Sequence, residues 1–310
     1  MAFYIVLNQV ITLFLLIAAG FYLTKIKAIG ERGVKDMTNI LFLIVTPCII
    51  ITAFQLDYTP ERVGKLLIAL GASVGIHLFS IIAGEIAFHK RFFRDAGQSK
   101  VVRFSTVYSN AGFMGLPLLD AVLGQEGLFM GSVYIAVFNA FTWTHGVMLY
   151  TGKTDRKSLV KTVLNPNVAA IFIGLLFFFL SLKIPGPLYN SMHFVSNLNT
   201  PLAMIVIGNR IAQIDLREIL SGMALWPAIF ARNIAMPLIL LFALHFAGIS
   251  GPILLACILP AACPTAGNTV LIAEMYGADS VFGARLMTIS TMFSIVSIPL
   301  IVYLFTALGY

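Results

Sequence analysis

Long apolar tracts follow one another across all 310 residues with only short connectors between them, and this leaves the chain one kind of solvent. Hydrophobic residues make up 59% of it and charged residues 11%, with a mean hydropathy of +0.94. A soluble domain carries about 25% charged residues to wet its surface. Lipid must take the place of water here. The expected class is an all-α integral membrane protein, because a helix satisfies its own backbone groups in hydrocarbon. No window remains for a soluble domain, so function is to be sought in what crosses the bilayer.

A bilayer core about 30 Å thick takes roughly 20 apolar residues per helix. Ten tracts meet that length, at about 3–24, 34–55, 65–88, 101–123, 127–150, 162–181, 188–209, 219–246, 252–276 and 280–308. The first lacks a basic n-region, runs long and is followed by Lys25 and Lys27, so it reads as a mature helix rather than a signal peptide. Sixteen of the 20 lysines and arginines fall at odd-numbered connectors, from Lys25 to Arg285. Arg62, Lys65 and Lys183 fall at even ones, and Arg232 lies within a tract. The positive-inside rule then places the odd connectors in the cytoplasm and both termini outside, in a multi-pass protein of the cell membrane. Topology accounts for the net charge of +7. A nucleic-acid surface is not expected, since no basic stretch has an aromatic platform or a soluble fold around it. Cys48, Cys257 and Cys263 all lie in apolar tracts, which argues against a disulfide framework or a metal site. No cofactor motif and no phosphate loop is present.

The two halves, 1–155 and 156–310, resemble each other weakly. At an offset of 154, Ile17, Gly20, Thr46, Pro47 and Ile51 fall on Ile171, Gly174, Thr200, Pro201 and Ile205. At an offset of 153, Gly124, Phe129 and Tyr150 fall on Gly277, Phe282 and Tyr303. Five helices per half is an odd number, so the second half must enter the membrane upside down. Such inverted repeats are a common build of secondary transporters, since exchanging the conformations of the two halves turns an outward-open state into an inward-open one.

The fourth tract of each half is interrupted. Tract 4 reads Ser109-Asn110-Ala111-Gly112-Phe113-Met114-Gly115-Leu116-Pro117, and tract 9 reads Pro260-Ala261-Ala262-Cys263-Pro264-Thr265-Ala266-Gly267-Asn268-Thr269. Proline and glycine break helices, and freed backbone groups are tolerated at membrane depth only beside protein or a wet cavity. Paired interruptions at matching places point to a transporter's binding site. Each break creates a helix N-terminus with unpaired N–H groups and roughly half a positive charge, a setting for an anion. Asn110, Thr265 and Asn268 add donors and acceptors. Close packing with kinks is the competing reading. Thr46-Pro47 and Thr200-Pro201, the latter preceded by Asn197 and Asn199, read either as kinks or as lining of the substrate path.

Among ionisable groups, Arg232 should face the bundle interior, either against a substrate carboxylate or in a structural or gating role. Asp120 and Glu274 occupy near-equivalent places past the two breaks and are candidates for coupling to a proton or cation. Glu85 is expected to be solvated near the cytoplasmic end of its helix. His77 and His145 read as hydrogen-bonded packing.

The stretch from Asn110 through Pro117 to Gly124 resembles the fourth helix of the auxin efflux carrier family, which includes the plant PIN-FORMED carriers. The Pro264 break, Ala273-Glu274-Met275-Tyr276 and Pro299 are similar to its ninth and tenth helices. Bacterial members are named as malate or related organic-acid permeases. The resemblance implies ten helices in two inverted halves, with helices 4 and 9 broken and crossed, as in bile-acid/sodium symporters and sodium/proton antiporters. Helices 1, 2, 6 and 7 would form a scaffold, often homodimeric. Helices 3–5 and 8–10 would form a transport domain. It also implies that Asn110 helps hold a substrate carboxylate. Ser109 stands where plant members have the crossing proline, Thr265 replaces a polar amide, and the long hydrophilic loop between helices 5 and 6 is absent.

The expected function is a secondary carrier for a small organic anion working by alternating access, with H+ or Na+ as a possible coupling ion and no catalysis. The expected substrate site comprises Asn110, Ala111, Gly112, Pro117, Pro264, Thr265, Gly267, Asn268, Thr46, Pro47, Asn199 and Thr200. Rival readings are a sodium/proton exchanger, which wants acidic residues beside the crossing, and an intramembrane hydrolase, for which no set of nucleophile or paired aspartates is found.

Overall fold

The computed structural model describes residues 2–93, 95–153, 165–214 and 224–309. The expected boundary at 155/156 lies outside the described residues, as do Arg94, Arg156, Lys157, Lys161 and Arg217. The helices in chain order are α1 Ala2–Lys25, α2 Glu31–Ala53, α3 Pro60–Ala87, α4 Ala96–Val107, α5 Ala111–Thr151, α6 Pro166–Phe179, α7 Gly186–Ser196, α8 Asn199–Ala212, α9 Leu225–Phe246, α10 Gly251–Ala262, α11 Asn268–Met275 and α12 Ser280–Ala307. Among the described residues there is no β-strand, only one isolated bridge. α1, α2, α3, α5, α9 and α12 are each long and apolar enough to cross a membrane, and α6 and α10 are shorter apolar helices. Large apolar side chains stand exposed on their outer faces, among them Leu15, Phe172 and Phe246. Such a surface is stable only against lipid, and the chain is an all-helical, multi-pass membrane protein.

The tract expected over 101–123 is two pieces. α4 begins at Ala96, ends at Val107, and α5 starts at Ala111. α5 then turns on Gly124, whose φ of 56° and ψ of −143° suit only glycine. This separates an arm over 111–123 from a second arm over 125–151. After α11 the chain turns on Gly277, again with positive φ (67°), so both short arms that follow a break end in the same device.

Wide π-type turns at Leu41–Val45, Ala111–Gly115 and Ala231–Ala235 each end two residues before a proline, Pro47, Pro117 and Pro237. A proline has no N–H to donate and its ring crowds the carbonyl four residues earlier. Widening the turn relieves that clash and keeps the helix continuous.

The helices outside the breaks pack through glycine. α1 runs against α8, where a Cβ on Gly20 would stand 2.4 Å from the Ile205 carbonyl oxygen and one on Gly208 2.1 Å from that of Ile17. α6 packs on the end of α2, with Gly174 against the Phe54 ring. These contacts join the first helix to the eighth and the sixth to the second. Gln55 and Asp57, after α2, reach the segment before α7: Gln55 Oε1 accepts the Ile184 N–H at 2.9 Å and Lys183 pairs with Asp57 at 2.6 Å.

Candidate functional site: two broken helices in contact

The two breaks meet. Asn110 N–H donates to the Pro264 carbonyl at 2.7 Å, and Ala266 N–H donates to the Tyr108 carbonyl at 3.1 Å. Three residues of one break thus lie antiparallel to three of the other, in the only bridge among the described residues, Ser109 with Thr265. Just past it, Gly115 crosses Pro260 so closely that a Cβ would stand 3.2 Å from the proline Cα. The sequence signals a break in each tract. It does not show that freed groups of one break satisfy those of the other.

Four helix ends converge here, and they are treated differently. The C-terminal ends of α4 and α10 meet Arg232, which is 2% exposed. Its Nε donates to the Cys263 carbonyl at 3.1 Å, Nη1 to that of Thr106 at 3.0 Å, and Nη2 to those of Ala261 and Cys263. A guanidinium is the right group for this place: five donors in a fixed fork, set where two helix dipoles end negative. Among the described residues Arg232 bonds to backbone carbonyls, which fits the structural reading. The neighbouring Asn233 joins in. Its Nδ2 donates to the Ser290 carbonyl at 2.9 Å, and its Oδ1 accepts from Ser290 Oγ at 2.7 Å. That same hydroxyl accepts the Thr265 N–H at 3.0 Å.

The N-terminal ends are left open. No side chain caps the start of α5 or of α11. At α5 the Asn110 carbonyl takes the N–H groups of Met114 and Gly115, which leaves those of Ala111, Gly112 and Phe113 as the first-turn donors. At α11 Thr269 and Val270 donate to Ala266 and Gly267. Asn110 itself is 8% exposed. Gly267 is exposed and Asn268 half-buried.

The other expected site residues divide. Ala111, Pro264 and Thr265 belong to the crossing, Gly112 to the first turn of α5. Thr265 is fully buried and its hydroxyl has no partner; Ser109 opposite is fully buried as well. Asn199 is 1% exposed and neither its amide oxygen nor its nitrogen has a partner; its helix, α8, packs against 111–115. Pro117, Asp120 and Thr200 line a cavity of about 180 Å³ between α5, α2, α7 and α8. Thr46 is buried and Pro47 half-buried, a turn before the α2 residues of that cavity. Glu274 is exposed on α11 and does not share the cavity. Glu85 is not simply solvated: it pairs with Arg103 of α4. His77 Nδ1 lies 2.7 Å from the Ser73 carbonyl and stacks on Phe141, and His145 Nδ1 lies 2.9 Å from the Tyr108 hydroxyl, so both histidines are bonded packing.

Sequence reasoning passed over Tyr108 and Ser290 and noted Asn233 after Arg232 without giving it a role. For Ser290 a signal exists: Ser290, Ser294 and Ser297 repeat at helical spacing in an apolar tract, one polar stripe on α12. Tyr108 acts through its carbonyl, which no side-chain pattern reveals.

The family profile described as membrane transport protein matches this chain over residues 5–157 and again over 150–302. A protein of Rhizobium meliloti named "Putative malonate transporter" is 25% identical over 211 residues, 65% of each chain, so the match spans just under two thirds of that relative. Two archaeal proteins named as uncharacterized transporters match almost end to end. The one from Methanothermobacter thermautotrophicus is 22% identical over 94% of this chain and 96% of its own. The one from Methanocaldococcus jannaschii is 24% identical over 95% and 97%.

Proposed function

The chain belongs to the membrane transport protein family, that of the auxin efflux carriers, and from that premise we propose that it is a secondary carrier for a small organic anion. The observation that carries the proposal is the crossing of the two breaks. An α-helix ends with roughly half a charge at each terminus. The two negative ends at the crossing are balanced by the Arg232 guanidinium. The two positive ends are uncapped and lack a counter-charge of their own. The site is therefore short of about one negative charge, which a carboxylate supplies. The carboxylate would rest on the first-turn N–H groups of Ala111, Gly112 and Phe113, with the Asn110 amide beside it, while those of Gly267 and Asn268 would add their positive end from the far side of the antiparallel pair. Asn199, Thr200, Thr46 and Pro47 would face it from the other side. Malonate, named for the Rhizobium relative, is the first substrate to try.

Alternating access follows from the architecture proposed: ten crossings in two inverted halves, the second beginning near residue 156. Support for the halves comes from matched details: the paired breaks, the paired positive-φ glycines, and the reciprocal packing of α1 on α8 and α6 on α2. α1, α2 and α6–α8 would be the scaffold, with a second copy of the chain meeting it there in a homodimer. α3–α5 and α9–α12 would move against it. By the charge bias both termini would lie outside the cell membrane, and the cavity beside Asp120 would then open outward.

The test is counterflow of labelled malonate, with malate, succinate and acetate as competitors, into liposomes holding the purified chain. Saturable exchange is expected, and Asn110→Ala should cut it at least about tenfold, the loss of roughly one charge-assisted hydrogen bond. Full exchange by Asn110→Ala for every anion would overturn the site. No exchange of any carboxylate by the unaltered chain would overturn the function.

A further inference from the structure

The arm over 111–123 is apolar save for one carboxylate, Asp120, and that residue is exposed. Its exposure is to the 180 Å³ cavity. Asp120 enters it from one wall, with Gln125 from the second arm of α5; Thr52 of α2, Tyr189 and His193 of α7, and Thr200 of α8 form the others. The titratable groups on it are thus Asp120, Tyr189 and His193. Glu126 nearby is held by Arg62 at 2.7 Å. His193 is exposed, stacks on Tyr189, and lies 3.5 Å from the Asn197 amide. The two groups sit on opposite bodies, since Asp120 is on the arm that begins at the crossing and His193 is on a helix packed against α2.

The cavity lies along α5 from the crossing, so a negative cargo that reaches the crossing through it passes a bare carboxylate, and Asp120 as an anion opposes that entry. One proton removes the conflict. On the carboxyl it erases the charge; on the imidazole it balances it. We propose, resting on the anion-carrier reading, that Asp120 and His193 are the proton-carrying groups of this cavity and that the chain carries one H+ with its anion. A carboxylate and an imidazole on one cavity can each hold that proton, whereas Na+ would draw on the oxygens of Asp120, Thr52, Gln125 and Thr200 and leave the imidazole without a role. The proton is taken up from the side on which the anion enters and given up on the other. No covalent bond changes.

The experiment uses the full chain in liposomes with a trapped pH dye and labelled malonate. Malonate uptake by the unaltered chain should be accompanied by inward H+ and should fall as the outside is raised from about pH 5 to about pH 8. Asp120→Asn should lose the proton flux that accompanies each malonate and should flatten the pH profile. His193→Gln, at an exposed position, should shift that profile, and it gives the answer if Asp120→Asn fails to fold. Unchanged proton-to-malonate ratios in both variants would overturn the inference, as would uptake driven by a Na+ gradient without proton flux. In either case malonate still moves, so the carrier reading stands; absence of any carboxylate exchange in the unaltered chain would instead remove that reading.

Discussion

At the α1–α8 contact two backbones meet because glycines remove the side chains between them. At the contact of 108–110 with 264–266 they meet because two helices stop. The first is close-packed: Gly20 and Gly208 bring Ile205 and Ile17 to van der Waals range, and side chains bond across it at one end, Asn209 to Thr24 at 2.8 Å and Lys25 to the Ala212 carbonyl at 3.0 Å. The second is polar: backbone N–H groups cross from one break to the other, and a guanidinium sits on the ends left over. The difference separates two jobs. A glycine contact holds one geometry, because any shift loses packing over many atoms at once. A crossing of helix ends presents charge, and how well it works depends on what balances each end.

The largest effect should come from removing that balance. Arg232→Met strips the Thr106, Ala261 and Cys263 carbonyls of their donor in a fully buried place. Each unsatisfied group costs about 1–3 kcal/mol, so the loss should be on the order of 3 kcal/mol or more. A thermal melt in detergent should show it, or the variant should fail to accumulate. Arg232→Lys keeps the charge but not the fork and should fall between the two. A melt of Arg232→Met equal to that of the unaltered chain would mean the helix ends need no cation.

The glycine contact should break next. In Gly208→Ala the new Cβ would lie 2.1 Å from a backbone oxygen of α1, which cannot turn aside. Overpacking of this kind costs about 1–3 kcal/mol. Gly174→Ala meets the Phe54 ring instead, a side chain that can shift, and should cost less. Melts of the two variants side by side rank backbone against side-chain clashes; equal losses would mean the helices separate rather than resist.

Sequence shows these regions unequally. The bilayer class follows from composition, and the two breaks follow from Pro264, Pro117 and the glycines around them, because proline and glycine act on their own backbone. Asn110 at the crossing is legible for the same reason. The partner of each break is not, since Tyr108 and Pro264 contribute carbonyls that every residue has. Arg232 is conspicuous as a charge in a tract, but its role depends on two helix ends over a hundred residues apart in sequence from one another. The cavity is a further case: Asp120 is visible, whereas His193 lies seventy-odd residues on, in a helix whose sequence does not say which way it faces.

A smaller effect tests the outer end of the second glycine contact, where α6 meets α2. Asp57 and Lys183 tie the segment after α2 to the one before α7 at 2.6 Å, both exposed. The hydrogen bond from Lys183, then its charge, hold the Asp57 carboxyl below its ordinary value of 3.8. A depressed carboxylate stabilises the fold above its unfolded value and loses that contribution as pH falls through the folded one. Asp57→Asn should therefore lower the melting temperature slightly at neutral pH and not at all well below 3.8. Solvent and salt screen so open a pair, and high salt should erase the difference. A penalty that persists in acid would assign Asp57 some role other than this ion pair.

The smallest effect on stability belongs to the residue expected to matter most for transport. The Asn110 side chain makes no hydrogen bond among the described residues, although Asn110 is only 8% exposed. An amide that bonds to nothing in the fold takes no bond with it when removed, so Asn110→Ala should leave the melt unchanged, within about 0.5 kcal/mol. Set beside the tenfold loss of exchange, that result would mark Asn110 as held in readiness for a ligand, the opposite of Arg232, whose donors are already spent on the fold. An Asn110→Ala chain that melts as early as Arg232→Met would erase the distinction and make the whole crossing structural.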